Sequence, residues 1–142
     1  MSTIREQILT AIATALVGTA GVGTRIYRSR PEAVSRAESP ALLIEPVQNQ
    51  SQQFVIGYLQ HTLTVNITVI SRGAIPDQLA DSTINSLHGK LMADLTLGGL
   101  CQDVQPGATR FSIEDGDQPA AAIACEYNII YRTTLTNLSA SV

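Results

Sequence analysis

Two long stretches of strictly alternating residues constrain this chain more than anything else in it. From Leu59 to Ile70, the apolar residues Leu59, Leu63, Val65, Ile67 and Val69 interleave with Gln60, Thr62, Thr64, Asn66 and Thr68. From Ala121 to Thr133 the same two-residue beat returns, with Ile123, Cys125, Tyr127, Ile129 and Tyr131 on one side. Successive strand side chains point to opposite faces, so each stretch predicts a strand with one buried face and one free face. Both are longer than the usual five or so residues of a strand. Strands of that length belong to a scaffold, and the two are expected to share one sheet.

The rest of the chain supplies what covers that sheet. Ile4, Ile8, Ala11, Ile12, Ala15 and Leu16 fall on one helical face, predicting a helix from about Thr3 to Val17 capped by Ser2 or Thr3. Ile8 to Val17 also has the apolar character of a secretory leader, but Glu6, Thr10 and Thr14 break that pattern and favour the amphipathic helix. Gly18, Gly21 and Gly23 stop it. A short strand follows at Arg25 to Arg28, then a brief helix over Glu32 to Ala37 opened by Pro31, and a strand at Ala41 to Glu45. The polar run Gln48 to Gln53 reads as a protruding hairpin loop, with Gly57 a bulge or bend on the way into the long strand. Pro76 opens a second helix whose buried stripe is expected to be Leu79, Ile84, Leu87, Leu91 and Leu95. A strand at about Thr109 to Asp115 leads through the turn residues Gly116, Asp117, Gln118 and Pro119 into the last strand. After Leu135 periodicity is lost, and residues 136–142 are expected to fray.

This order predicts an α+β fold: two layers, a mainly antiparallel sheet, and two main helices packed on one face. Residues 1–142 suit a single domain. Charged residues make up 15% of the chain, a low share that leaves surface for contacts with other protein. The formal net charge of −3 disfavours bulk attraction to nucleic-acid phosphates, and no apolar run is long enough to span a membrane.

No chemistry declares itself. The glycines at 18, 21 and 23 follow a helix and precede a strand, the reverse of a phosphate-binding loop, and no P-loop lysine accompanies them. His61 and His88 have no Cys, Asp or Glu at metal-ligand spacing and read as solvated or hydrogen-bonded histidines. Cys101 and Cys125 read as two buried thiols. Glu114, Asp115 and Asp117 read as a solvated turn rather than a cation site. No serine sits in a nucleophile elbow. The expectation is a protein without catalytic residues, cofactor or metal. Arg25, Arg28, Arg30 and Arg36 gather four of the nine basic residues in a short stretch. They suit either an exposed strand edge kept soluble by charge or a contact with an acidic neighbouring subunit; DNA contact is disfavoured.

The segments IREQILTAIATAL, RIYRSRPEAVSRAESPALLIEP, LTVNITVISRG, PDQLADSTINSLHGKLMADLTLGGL and EYNIIYRTT, from Ile4 to Thr134, together resemble the tail-terminator proteins of long-tailed bacteriophages and prophages, the gpU-like minor tail proteins. The resemblance implies a virion protein assembled in the host cytoplasm as a homo-hexameric ring at the head-proximal end of the tail. Its implied partners are copies of itself, the tail tube protein and the head connector, with DNA passing through the lumen without specific binding. It transfers no residue-level site. From exposure alone, Arg25, Arg28 and Arg30, with Gln50, Gln52 and Gln53, are the subunit-interface candidates. A head-completion or neck protein is the alternative within a virion, and a small ligand-binding or enzymatic α+β domain the alternative outside one.

Overall fold

The first helix, α1, starts where Thr3 can cap it: the Thr3 hydroxyl accepts the backbone N–H of Glu6 at 3.2 Å. It spans Ile4–Leu16 and buries Ile4, Ile8, Leu9, Ile12 and Leu16 along one stripe. It ends in a turn closed by Gly18 N–H to Gly23 carbonyl at 2.9 Å, with Gly21 at a φ of 80° that a side chain would strain. The computed structural model describes residues 2–28, 40–114 and 120–140. The brief helix expected over Glu32 to Ala37 and the turn at Gly116 to Pro119 lie outside them, as do Arg30 and Arg36.

Among the described residues, five strands form one sheet: β1 (Ile26–Arg28), β2 (Ala41–Val55), β3 (Tyr58–Arg72), β4 (Asp103–Glu114) and β5 (Ala120–Thr134), in the order β1-β2-β3-β5-β4. The two alternating stretches are the neighbours β3 and β5, paired antiparallel without interruption from Tyr58 opposite Thr134 to Arg72 opposite Ala120. Only the β1–β2 pair is parallel. The second helix, α2 (Pro76–Met92), lies over β3 and β5, while α1 lies over β2 and against α2. Both helices therefore cover one face, and the fold is the expected α+β two-layer arrangement.

The core fills the space between those layers. Leu63, Val65, Ile67 and Val69 of β3 and Ile123, Cys125, Tyr127 and Ile129 of β5 meet Ile8, Ile12, Leu16, Leu87 and Leu91 of the helices. The stripe of α2 differs from the expected one. Pro76, Ala80, Thr83, Leu87 and Leu91 are buried, whereas Leu79 and Leu95 are exposed. Of the buried residues, Thr83 donates to the Ala20 carbonyl at 2.9 Å, so part of the buried stripe meets the turn after α1, which the sequence could not show.

The polar run Gln48 to Gln53 is corrected from loop to strand. Gln48 pairs with Thr64, Gln50 with Thr62, Gln52 with Gln60 and Gln53 with Leu59. The chain turns only at Ile56 and Gly57, between the paired Val55 and Tyr58, with Gly57 at a φ of 87°. A register shift between Pro46 and Gln48 hides the alternation in the sequence, and Pro46, which lacks an N–H, stands just beyond the last β1 pair at Ile44. β4 is likewise longer than expected, running from Asp103 through a register shift between Pro106 and Thr109. Gly107 belongs to that bulge, where a Cβ atom would lie 2.5 Å from a Glu126 carboxylate oxygen. The described tail from Leu135 to Ala140 forms no helix or strand, but Leu135 N–H donates to the Gly57 carbonyl at 2.8 Å and Ile4 N–H to the Leu138 carbonyl at 2.8 Å.

Candidate assembly surfaces

The strands of the β2–β3 hairpin are longer than α2, the helix that lies over β3. Strands of 15 residues span about 50 Å at ~3.3 Å per residue. The 17 residues of α2 cover only about 26 Å at ~1.5 Å per residue. Gln50 and Gln52 lie on the face away from the helices, where with Gln60 and Thr62 they line a shallow polar depression of about 270 Å³. Gln53, opposite Leu59, lies on the other face by strand alternation. The three glutamines are thus divided between two faces, two against one. At the tip Ile56 is 92% exposed, flanked by exposed Val55 and Tyr58.

Where the hairpin leaves the core, a buried polar cluster ties three strands together. Asn49 on β2, His61 on β3, and Tyr131 and Thr133 on β5 share the helix-side face, and His61, Tyr131 and Thr133 are buried. The Tyr131 hydroxyl donates to Asn49 Oδ1 at 2.7 Å, and Asn49 Nδ2 lies 3.1 Å from His61 Nδ1. His61 Nε2 lies 2.9 Å from Thr133 Oγ1, which donates to the Thr134 carbonyl at 3.1 Å. An amide nitrogen can only donate, so Nδ1 accepts and the proton sits on Nε2. The network thus specifies a neutral imidazole, stacked on Tyr131 with ring centroids 4.4 Å apart. Burial pushes the His61 pKa down, and the positive charge of Arg5 adds to the shift. His61 is therefore a hydrogen-bonded histidine, one of the two states expected for it. The sequence could not reveal its partners, because they come from three different strands.

The described arginine candidates are engaged within the chain. Arg25 Nε donates to the Pro40 carbonyl at 3.0 Å, and its guanidinium also reaches the Gly21 carbonyl, tying the glycine turn to the start of β2. Arg28 forms a two-pronged pair with Glu6, at 2.8 and 3.0 Å, that clips β1 to α1. The hydrogen bond from Arg28 holds the Glu6 carboxyl below its ordinary pKa and raises that of Arg28. This pair is substantially solvent-exposed. Arg28→Ala is accordingly expected to cost no more than about 1 kcal/mol of stability, with the loss shrinking in high salt. Urea unfolding at two salt concentrations measures it.

A groove of about 560 Å³ runs between α2 and β4, lined in part by Ile84, His88, Thr109, Cys125, Glu126 and Tyr127. The Tyr127 hydroxyl lies 2.8 Å from His88 Nδ1. Burial, followed by the neighbouring Cys125, pushes the tyrosine to about 12, and burial pushes Cys101 to about 11. Both groups are engaged: the Cys101 thiol donates to the Leu95 carbonyl at 3.3 Å, and the Tyr127 hydroxyl is paired with His88. Among the described residues no three His, Cys, Asp or Glu side chains gather to hold a metal ion. No helix among them is long and apolar enough to cross a membrane.

The sheet also offers its outer edges. β4 pairs with β5 on one side and, among the described residues, carries no strand on the other. Phe111 and Ile113 on it are 68% and 60% exposed. At the opposite side, among the described residues β1 pairs with β2 over Leu42–Ile44, and exposed Val47 and Val55 lie beyond.

No protein-family model matches the chain, and no curated protein matches it. Among solved structures, a chain from the virion of a native gene transfer agent particle aligns with a TM-score of 0.50 and 13% identity. The alignment covers 90% of this chain and 92% of that one. What the two share is the fold.

Proposed function

We propose that this chain is a structural, non-catalytic virion protein that acts as a tail terminator. It forms a ring at the head-proximal end of a tail tube, halts addition of tube subunits, and presents a surface for head attachment. The single observation that carries this reading is the likeness of fold to a virion chain along nine-tenths of both chains. The sequence resemblance from Ile4 to Thr134 points the same way. The molecule also has surfaces suited to assembly: a long hairpin with exposed Ile56 at its tip, and a sheet with outer edges at β4 and at the distal part of β2.

In this role the projecting hairpin, with Gln50, Gln52 and Gln53, meets a neighbouring copy or the ring above or below. Arg25, Arg28 and Arg30 are the contact candidates for the adjacent subunit, with Arg28 held in place by Glu6 and Arg30 outside the described residues. The test is infection by a particle lacking this gene, with tails measured by electron microscopy. Overlong, polydisperse tails without heads are the expected result. Tails of normal length that fail to join heads overturn the terminator role and assign the chain to the neck.

A further inference from the structure

We propose that copies of this chain join by continuing the sheet, the outer edge of β4 in one copy pairing antiparallel with the distal outer edge of β2 in the next. The first ground is unsatisfied backbone. A sheet edge presents alternate N–H and C=O groups that need partners, and long apolar edges left bare promote uncontrolled association. Among the described residues β4 carries no second strand on its outer side. Its first part is already engaged, since Val104 N–H donates to Asp103 Oδ1, Ala108 N–H to Glu126 Oε2, and Pro106 has no N–H. The edge it offers therefore runs from Thr109, and β2 offers one beyond Ile44. Each is marked by exposed apolar side chains, Phe111 and Ile113 on β4 and Val47 and Val55 on β2.

The second ground is strand direction. β2, β3, β5 and β4 alternate in sense along the sheet, so β4 runs opposite to β2. A copy generated by rotation about an axis roughly along the strands therefore places its β2 antiparallel to β4, and the alternation continues across the joint. Joining unlike edges is a head-to-tail contact, the kind that closes into a ring. Two β4 edges meeting about a twofold axis would instead stop at a dimer and leave both β2 edges bare.

The registers already in the sheet set which residues can meet. Gln48 stands opposite Thr64, Thr64 opposite Asn128, and Asn128 opposite Gln105, so Gln48 and Gln105 share one height and one face. In that unshifted register Phe111 stands level with Leu42, where β1 already pairs, so only Asp103–Pro106 can join β2 without a slide. If the strands tilt across the joint, as closed sheets require, β4 slides toward the hairpin tip and Arg110 approaches Gln50 on that same face. All four side chains are exposed.

The proposal rests on the ring-forming reading above, and its test separates the two. Cysteines are placed in pairs, Gln48→Cys with Gln105→Cys and Gln50→Cys with Arg110→Cys, and treated with a short bis-maleimide, alone and with tail tubes. The buried Cys101 and Cys125 stay in place, and the parent protein is the control. A ladder of cross-linked multimers from one double variant, and none beyond the parent's from either of its single variants, is the expected result. In parallel, Phe111→Lys with Ile113→Lys should convert the assembly to a folded monomer by light scattering and circular dichroism, since both side chains are exposed in the monomer. Cross-linking by single variants, or assembly that persists in the double-lysine variant without cross-links in either pair, overturns the edge-to-edge joint while leaving the terminator role intact. A protein that stays monomeric and uncross-linked under both conditions overturns the joint as well. Cross-linked rings from a gene whose loss leaves tail length unchanged would overturn the role and leave the joint standing.

Discussion

Acidification below pH 6.5 is expected to weaken this fold through His61. The unfolded chain takes up the proton near the ordinary histidine pKa of about 6.5. The folded chain resists it, because burial and Arg5 depress the folded value. Between those two pKa values the unfolded state binds more protons, so stability rises with pH across that window. The contribution is fully present above the window, is lost as pH falls through it, and levels off below the folded pKa. The slope from one such group reaches at most about 1.4 kcal/mol per pH unit. Structure gives the same sign. Protonation puts a second N–H on the ring, pointing at the Asn49 amide nitrogen, which has no lone pair to accept it. Tyr131 does not offset this, since burial raises its pKa and keeps the phenol neutral. Urea unfolding from pH 7.5 to 4.5 should show the slope, and His61→Gln should flatten it. An equal slope in that variant would assign the effect to other groups. As the cluster joins β2, β3 and β5 where the hairpin departs, amide exchange should show early opening of Asn49 to Val55 in acid.

The second large effect lies in α2, where two leucines eight residues apart behave in opposite ways. Leu87 is fully buried against the sheet, and Leu87→Ala should cost about 2–5 kcal/mol, through lost burial and the cavity left behind. Leu79 is 54% exposed, and Leu79→Ala should cost under about 1 kcal/mol. Ala80, beside it, is fully buried, and Ala80→Leu should destabilise by about 1–3 kcal/mol by overpacking. Denaturant melts of the three variants test this directly. A Leu79→Ala penalty as large as that of Leu87→Ala would mean that the helix is rotated from the orientation described.

What could be read without coordinates follows from how locally each feature is encoded. β3 and β5 show a clean two-residue period because one face is buried along most of their length, and burial imposes the pattern directly on the residues. The start of α1, with its Thr3 cap and its glycine stop, is equally local. The long sheet and the two helices were therefore legible as an α+β scaffold. The distal half of β2 was not, because Gln and Asn have little strand preference of their own and Gln48 to Gln53 become strand only through their pairing with β3. The early part of β4 was hidden for a related reason, since the bulge between Pro106 and Thr109 interrupts its alternation.

Residue order by itself determined the period of the long strands, the ends of the first helix, and the pairing of one buried face with one free face. Only the tertiary structure decided which side chains of α2 are buried, that Arg28 answers Glu6, and that Asn49, His61, Tyr131 and Thr133 share one hydrogen-bonded chain. It also decided which strands stand at the edges. Periodicity records burial along a segment, whereas distance, partner and edge are relations between segments far apart in the chain, and those are fixed when the sheet closes against its helices.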